Sequence, residues 1–134
     1  MKKEEIFFPE EMTPDLAEEV GLHLGDGSMN YYSGKGLYQL RGHMEDDKSH
    51  YISRIKPLYK LLFNIDISLR DMPSTRVFGF QIWSDKLVNF KKNILGLPVG
   101  PKHDFLIPSV IVGNDEFSRS FIRGFFDTDG CLYL

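Results

Sequence analysis

The chain has 134 residues, 42% of them hydrophobic and 13% aromatic, with a single cysteine and a net charge of −3. That is apolar mass for one ordinary core; it excludes an intramolecular disulfide and a thiolate zinc site, and no apolar run approaches the roughly 20 residues of a membrane span. The charge is uneven, −6 over residues 1–28, +5 over 29–105 and −2 over 106–134, so a polyanion would meet the middle of the chain. Met1 to Glu11 hold no apolar signal core and no small-residue cleavage site, which predicts a cytoplasmic protein without a membrane partner.

In chain order, Thr13 predicts an N-cap, Pro14 the first helical position and Asp15 a first-turn acid, opening a helix that runs to about Gly25. Met29 to Ser33, a Ser33–Gly36 turn and Leu37 to Met44 predict a hairpin. A second helix is expected over Lys48–Phe63 with Ile52, Ile55, Leu58, Tyr59 and Leu62 inward, kinked or split at Pro57. Ile65 to Leu69 and Phe78 to Trp83 alternate as a second hairpin. Ser84 predicts the N-cap of a third helix to Ile94 that turns Leu87, Phe90 and Ile94 inward and stops at Gly96 and Pro98. Residues 96–113, with Pro98, Pro101 and Pro108, are expected to be a linker, and a fourth helix opens at Asn114 and runs to about Asp129. The fold class is α+β: an αββαββα repeat with an antiparallel sheet over 1–95, the linker over 96–113, and a further helix with a short tail over 114–134.

The chain repeats itself at an offset of 103 residues, where Ala17, Gly21 and Gly25 fall on Ser120, Gly124 and Thr128. Each trio is small and spaced by four, so it lines one stripe of a helix and lets another helix backbone approach closely. Directly after each stripe comes Asp-Gly, Asp26-Gly27 and Asp129-Gly130. Packing the stripes together would bring two carboxylates to one place, against the negative helix ends and against each other. A divalent metal between them would offset that cost, since magnesium takes carboxylate oxygens, keeps waters and accepts phosphate. The pattern therefore suggests metal-dependent phosphodiester hydrolysis.

The two segments EVGLHLGDG (residues 19–27) and IRGFFDTDG (122–130) resemble the paired motifs of the LAGLIDADG homing endonucleases, and the element order between them is similar to one repeat of that family. The resemblance implies that the motif helices form an interface, with Gly21, Gly25, Gly124 and Thr128 as interface residues, and that a curved sheet lies in the major groove of double-stranded DNA. It implies Asp26 and Asp129, with Gly27 and Gly130, as the Mg2+ (or other divalent cation) site. The stretch Gly100-Pro-Lys-His-Asp is similar to a basic segment of intein-type members, which carries a catalytic role to Lys102, with His103 the weaker candidate.

The pleat supplies the DNA-reading face. If Tyr38, Leu40, Ile65, Ile67, Phe78 and Phe80 pack inward, Gln39, Arg41, His43, Asp66, Ser68, Arg70, Gln81 and Trp83 face outward, with Lys35 and Arg76 near strand ends for phosphates. The chain departs from the family in two places. His23 and Leu24 stand in the first motif where an aliphatic and an acidic residue are usual, and only Cys131 to Leu134 follow the second motif. Three explanations stay open: a fragment cut after the second motif, a remnant that binds without cleaving, or a homodimer through the motif helices that restores two sheets. The activity expected is site-specific DNA cleavage; the alternative is a non-catalytic DNA- or RNA-binding derivative, a transcription regulator or a splicing maturase.

Overall fold

The structure, a computed structural model, describes residues 5–43, 47–72, 77–101 and 105–129, without the side chains of His43, Met72, Val77 and residues 127–129. The first helix, α1 (Pro14–Asp26), starts as its sequence predicts, with Leu16 N–H donating to Thr13 Oγ1 at 3.1 Å. Every residue from Leu16 to Leu24 is buried, because one side of α1 meets a sheet and another meets a second helix. The chain then passes straight into β1 (Gly27–Tyr32), which pairs antiparallel with β2 (Lys35–His43). The turn is tighter than predicted. Ser33 and Gly34 both take positive φ (52° and 79°), the two-residue geometry that matches strand twist, and Lys35 and Gly36 already belong to β2.

The second helical stretch is α2 (Lys48–His50), a π-helical turn (Tyr51–Ile55) and α3 (Lys56–Phe63). Pro57 sits in the first turn of α3, and the expected single helix is divided just before it. The π turn just before it is where the hydrogen-bonding pattern changes, so the missing proline N–H falls at a start and not in an interior. The same π turn advances the helical phase: Tyr51 is buried, whereas Ile52, expected inward, is 53% exposed. Asn64, in the left-handed region, caps α3 through its N–H to the Lys60 carbonyl.

The predicted strand Ile65–Leu69 forms no ladder. Its alternation is real, with Ile67 buried and Asp66 and Ser68 exposed, but the segment pairs with no strand, and Ile65 lines a groove with Ile6, Ile82 and Trp83. Pairing begins only at β3 (Arg70–Met72), against β4 (Val77–Trp83), and the sheet order is β1-β2-β4-β3. After Ser84, whose Oγ accepts from Leu87 N–H at 3.1 Å, come α4 (Asp85–Asn89) and a second π turn (Phe90–Ile94). That turn again shifts the phase, so Ile94 is 72% exposed and Lys91 points into the core.

The expected linker is partly packed. Leu97 and Ile111 are buried, α5 (Ser109–Val112) forms within it, and Gly100 N–H donates to the Met29 carbonyl at 2.8 Å, tying this segment to the edge of β1. Asn114 caps α6 (Asp115–Asp129) through Phe117 N–H at 3.0 Å. Tyr38, Leu40, Phe78 and Phe80 face the helices, and the core lies between them, α1 and α3.

Candidate active site and nucleic-acid-binding face

The two glycine-bearing helices meet backbone to backbone. A Cβ on Gly21 would stand 2.2 Å from the Phe121 carbonyl oxygen, and one on Gly124 would stand 2.1 Å from the Glu18 carbonyl oxygen. Ala17 and Ser120 are buried beside this crossing and Gly25 is half-buried; Thr128 lies in α6 with its side chain outside the described residues. Glu18, itself buried, is fixed by Arg54, which donates from Nε and Nη2 at 3.0 and 2.7 Å and also reaches Asp15.

Asp26 is the last residue of α1, half-buried, and Gly27 opens β1 with its N–H on the His23 carbonyl. Asp129 is the last residue of α6, but its side chain, like Gly130, Lys102, His103 and Arg76, lies outside the described residues. Among the described residues, no three His, Cys, Asp or Glu side chains converge as a metal site. The structure adds one group that sequence reasoning missed. Tyr51 is fully buried, its ring 5.7 Å from Phe78, and its hydroxyl has no hydrogen-bond partner among the described residues. Burial, then the charges of Asp26 and Asp47, hold that phenol above its ordinary range.

On the outer face of the sheet, Gln81 Nε2 donates to Gln39 Oε1 at 3.1 Å. Arg41, Gly79 and Arg70 stand side by side across three strands, so two exposed guanidinium groups flank a position without a side chain. Lys35 is exposed at the hairpin end, and exposed Trp83 packs edge-on to Tyr32 at 6.2 Å. His43 pairs with Val77 in the ladder, its side chain outside the described residues. Ser68 and Asp66 are exposed but belong to no strand, since the segment carrying them does not pair.

A second cluster lies beneath the sheet and away from solvent. Lys91 and Glu19, both fully buried, form an ion pair; Glu19 Oε2 also accepts from Tyr59 at 2.7 Å and Tyr38 at 3.3 Å, and Lys91 Nζ lies 3.2 Å from His23 Nδ1. Burial, with Glu19 as the second cause, holds Tyr38 and Tyr59 well above their ordinary 10.0, and burial lowers Lys91 from 10.5 against the pull of Glu19. Between its lowered native value and 10.5, Lys91 carries more protons unfolded than folded, so its contribution to stability rises with pH. Above 10.0 the phenols reverse this, because the unfolded chain releases protons that the folded chain keeps. Stability is therefore expected to fall as pH rises through 10.0, with Tyr38 and Tyr59 ionising only on unfolding. Tyrosinate absorbance followed together with circular dichroism checks this; ionisation of all six tyrosines while the fold persists is the contrary result.

No family model matches the chain. Glutamine–fructose-6-phosphate aminotransferase [isomerizing] of Methanocaldococcus jannaschii is 23% identical over 128 residues, which are 95% of this chain and 11% of that protein. So small a share carries no argument for aminotransferase chemistry. Among solved structures, I-DmoI in complex with DNA and Mn superposes with a TM-score of 0.58 at 17% identity, over 86% of this chain and 61% of that one. Mesophilic variants of the homing endonuclease I-DmoI give 0.58 at 16% identity, over 86% and 61%. An I-DmoI variant with nicked target DNA in the presence of Mn gives 0.57 at 18% identity, over 86% and 60%. The chain thus has the I-DmoI fold and spans about three fifths of the length of those solved chains.

Proposed function

We propose that this chain is a LAGLIDADG-type DNA-binding nuclease unit that hydrolyses phosphodiester bonds of double-stranded DNA with a divalent cation. The observation that carries the reading is the crossing of α1 and α6 at Gly21 and Gly124, where two helices that each end in aspartate approach to backbone contact. A separation this small between helices needs glycine on both sides, and an acid at each C-terminal end is unfavourable for stability alone. The likeness to I-DmoI supports the same reading at the level of the fold, and I-DmoI has been solved with target DNA and Mn.

In this reading Asp26 and Asp129, with the backbone of Gly27 and Gly130, hold Mg2+ or Mn2+, and Lys102 approaches the scissile phosphate. Asp26 stands half-buried at the end of α1, and the buried Tyr51 hydroxyl without a partner among the described residues would suit an ordered water of a hydrated cation held there. The cation supplies charge neutralisation at the phosphate and a more acidic bound water. The outer sheet face lies along the duplex: Arg41 and Arg70 reach guanine edges or phosphates, Gln39 and Gln81 reach adenine, and Lys35 contacts phosphate. Ser68, Arg76 and His43 belong to the same proposed surface.

Incubating the protein with a plasmid library and Mg2+, beside Asp26→Asn and Asp129→Asn, tests the assignment. Cleavage by the wild type and a loss of at least a hundredfold in each variant are expected, as for loss of a principal electrostatic group. Equal cutting by all three would sink the metal assignment, and retained binding without cleavage, indifferent to EDTA, would select a non-catalytic nucleic-acid-binding role.

A further inference from the structure

Gly42 lies two residues beyond Leu40, which pairs with Gly27, so it stands at the end of β2 where the first Asp-Gly enters the sheet. A Cβ there would meet Asp47 Oδ2 at 2.6 Å and Tyr51 Cε2 at 2.8 Å. The absent side chain is thus the room in which the Asp47 carboxylate and the hydroxyl edge of Tyr51 come together. Tyr51 is 0% exposed and its hydroxyl finds no partner among the described residues. Leaving such a group unsatisfied is costly, because its lost hydration is not replaced. A water with two or more polar partners is the usual resolution of such a site. Burial, then the charges of Asp26 and Asp47, raise the Tyr51 phenol above its ordinary range.

We propose that Tyr51 and Asp47 are positioning residues of the cation site at Asp26: the Tyr51 hydroxyl donates to one ordered water whose protons go to carboxylate oxygens, and that water belongs to the hydration shell of the divalent cation. The inference rests on the reading of Asp26 as a cation ligand. A hard cation that keeps several waters needs acceptors and donors around those waters as much as it needs direct ligands. Asp47 supplies an acceptor. Tyr51 supplies a donor that is neutral, so its removal changes the hydrogen bonding of the site without changing its charge.

The test uses the full chain and Mn2+ alone as probe. Binding is followed by the electron paramagnetic resonance of free Mn2+ and by the water-proton relaxation of the bound ion, for wild type, Tyr51→Phe, Asp47→Asn and Asp26→Asn. Tyr51→Phe keeps the ring against Phe78, so it should fold, with an unchanged or raised melting temperature, and should weaken Mn2+ binding by about three- to tenfold with an altered relaxation enhancement. Asp47→Asn should weaken binding at least as much, and Asp26→Asn should remove it. Wild-type affinity and relaxation in Tyr51→Phe, with binding lost in Asp26→Asn, overturns this inference and leaves the reading of Asp26 standing. Wild-type affinity in Asp26→Asn overturns both.

Discussion

Gly124→Ala is expected to destabilise the protein by about 2–4 kcal/mol, although alanine is the better helix former by about 1 kcal/mol. The added methyl would stand 2.1 Å from the Glu18 carbonyl oxygen and 3.1 Å from the Leu22 nitrogen, and at Gly21 the equivalent methyl meets Phe121 oxygen at 2.2 Å. These are backbone atoms inside helices, so no rotamer change relieves the overlap. The helices must separate, and contacts along the whole seam, Ala17 and Ser120 included, loosen together. Gly113→Ala is the control, since its methyl would meet nothing closer than 3.4 Å. Denaturant unfolding of the three variants decides the matter: Gly21→Ala and Gly124→Ala should lose stability and Gly113→Ala should stay near wild type. Equal stability of Gly124→Ala and Gly113→Ala would mean that α1 and α6 do not meet backbone to backbone at this crossing. On the proposed function, the separating variants should also lose cleavage before they lose the sheet, because the paired acids depend on the spacing of the seam.

The seam was legible in the sequence because its signal is chemical and simple. Small residues four apart on two segments, each followed by Asp-Gly, have few other uses at the same offset. The strands β2 and β4 were legible for a related reason, since Tyr38, Leu40, Phe78 and Phe80 alternate with polar residues and one face is buried. Two things were hidden, both caused by local departures from regular periods. The π turns at Tyr51–Ile55 and Phe90–Ile94 place more than 3.6 residues in a turn, so counting by 3.6 put Ile52 and Ile94 inside and left Tyr51 and Lys91 unremarked. Ile65 to Leu69 alternates because it covers the core from one side, and side-chain alternation carries no information about whether a neighbouring strand is close enough to bond. Glu19 was invisible for a third reason. An acid on a helix reads as solvent-facing until its partner, 72 positions away, is known to turn inward.

Lys91→Met is expected to cost about 3–5 kcal/mol, and Glu19→Leu a similar amount, because each leaves the other charge buried without its counterpart. The setting makes that penalty severe. Glu19 keeps two phenol donors when Lys91 is lost, which softens the result, whereas Lys91 without Glu19 is left with the faces of Tyr38 and Phe63, at 4.5 and 5.9 Å, and His23. Glu19→Leu should therefore be the worse of the two single changes, and its remaining lysine should lose its proton well below the ordinary range as burial acts unopposed. The double variant Glu19→Leu/Lys91→Met removes both charges and leaves side chains of comparable size, so it should recover most of the loss or exceed the wild type. In that background one of the Tyr38 and Tyr59 hydroxyls still donates to the other at 2.7 Å. Stability measured across the four proteins of this cycle gives the coupling directly. A double variant as unstable as the sum of the singles would show that the pair is not a coupled unit, and that packing alone makes these positions costly. Recovery would mean that the ion pair specifies how α1 seats against the second π turn more than it stabilises the fold, and α1 is the helix whose last residue is Asp26.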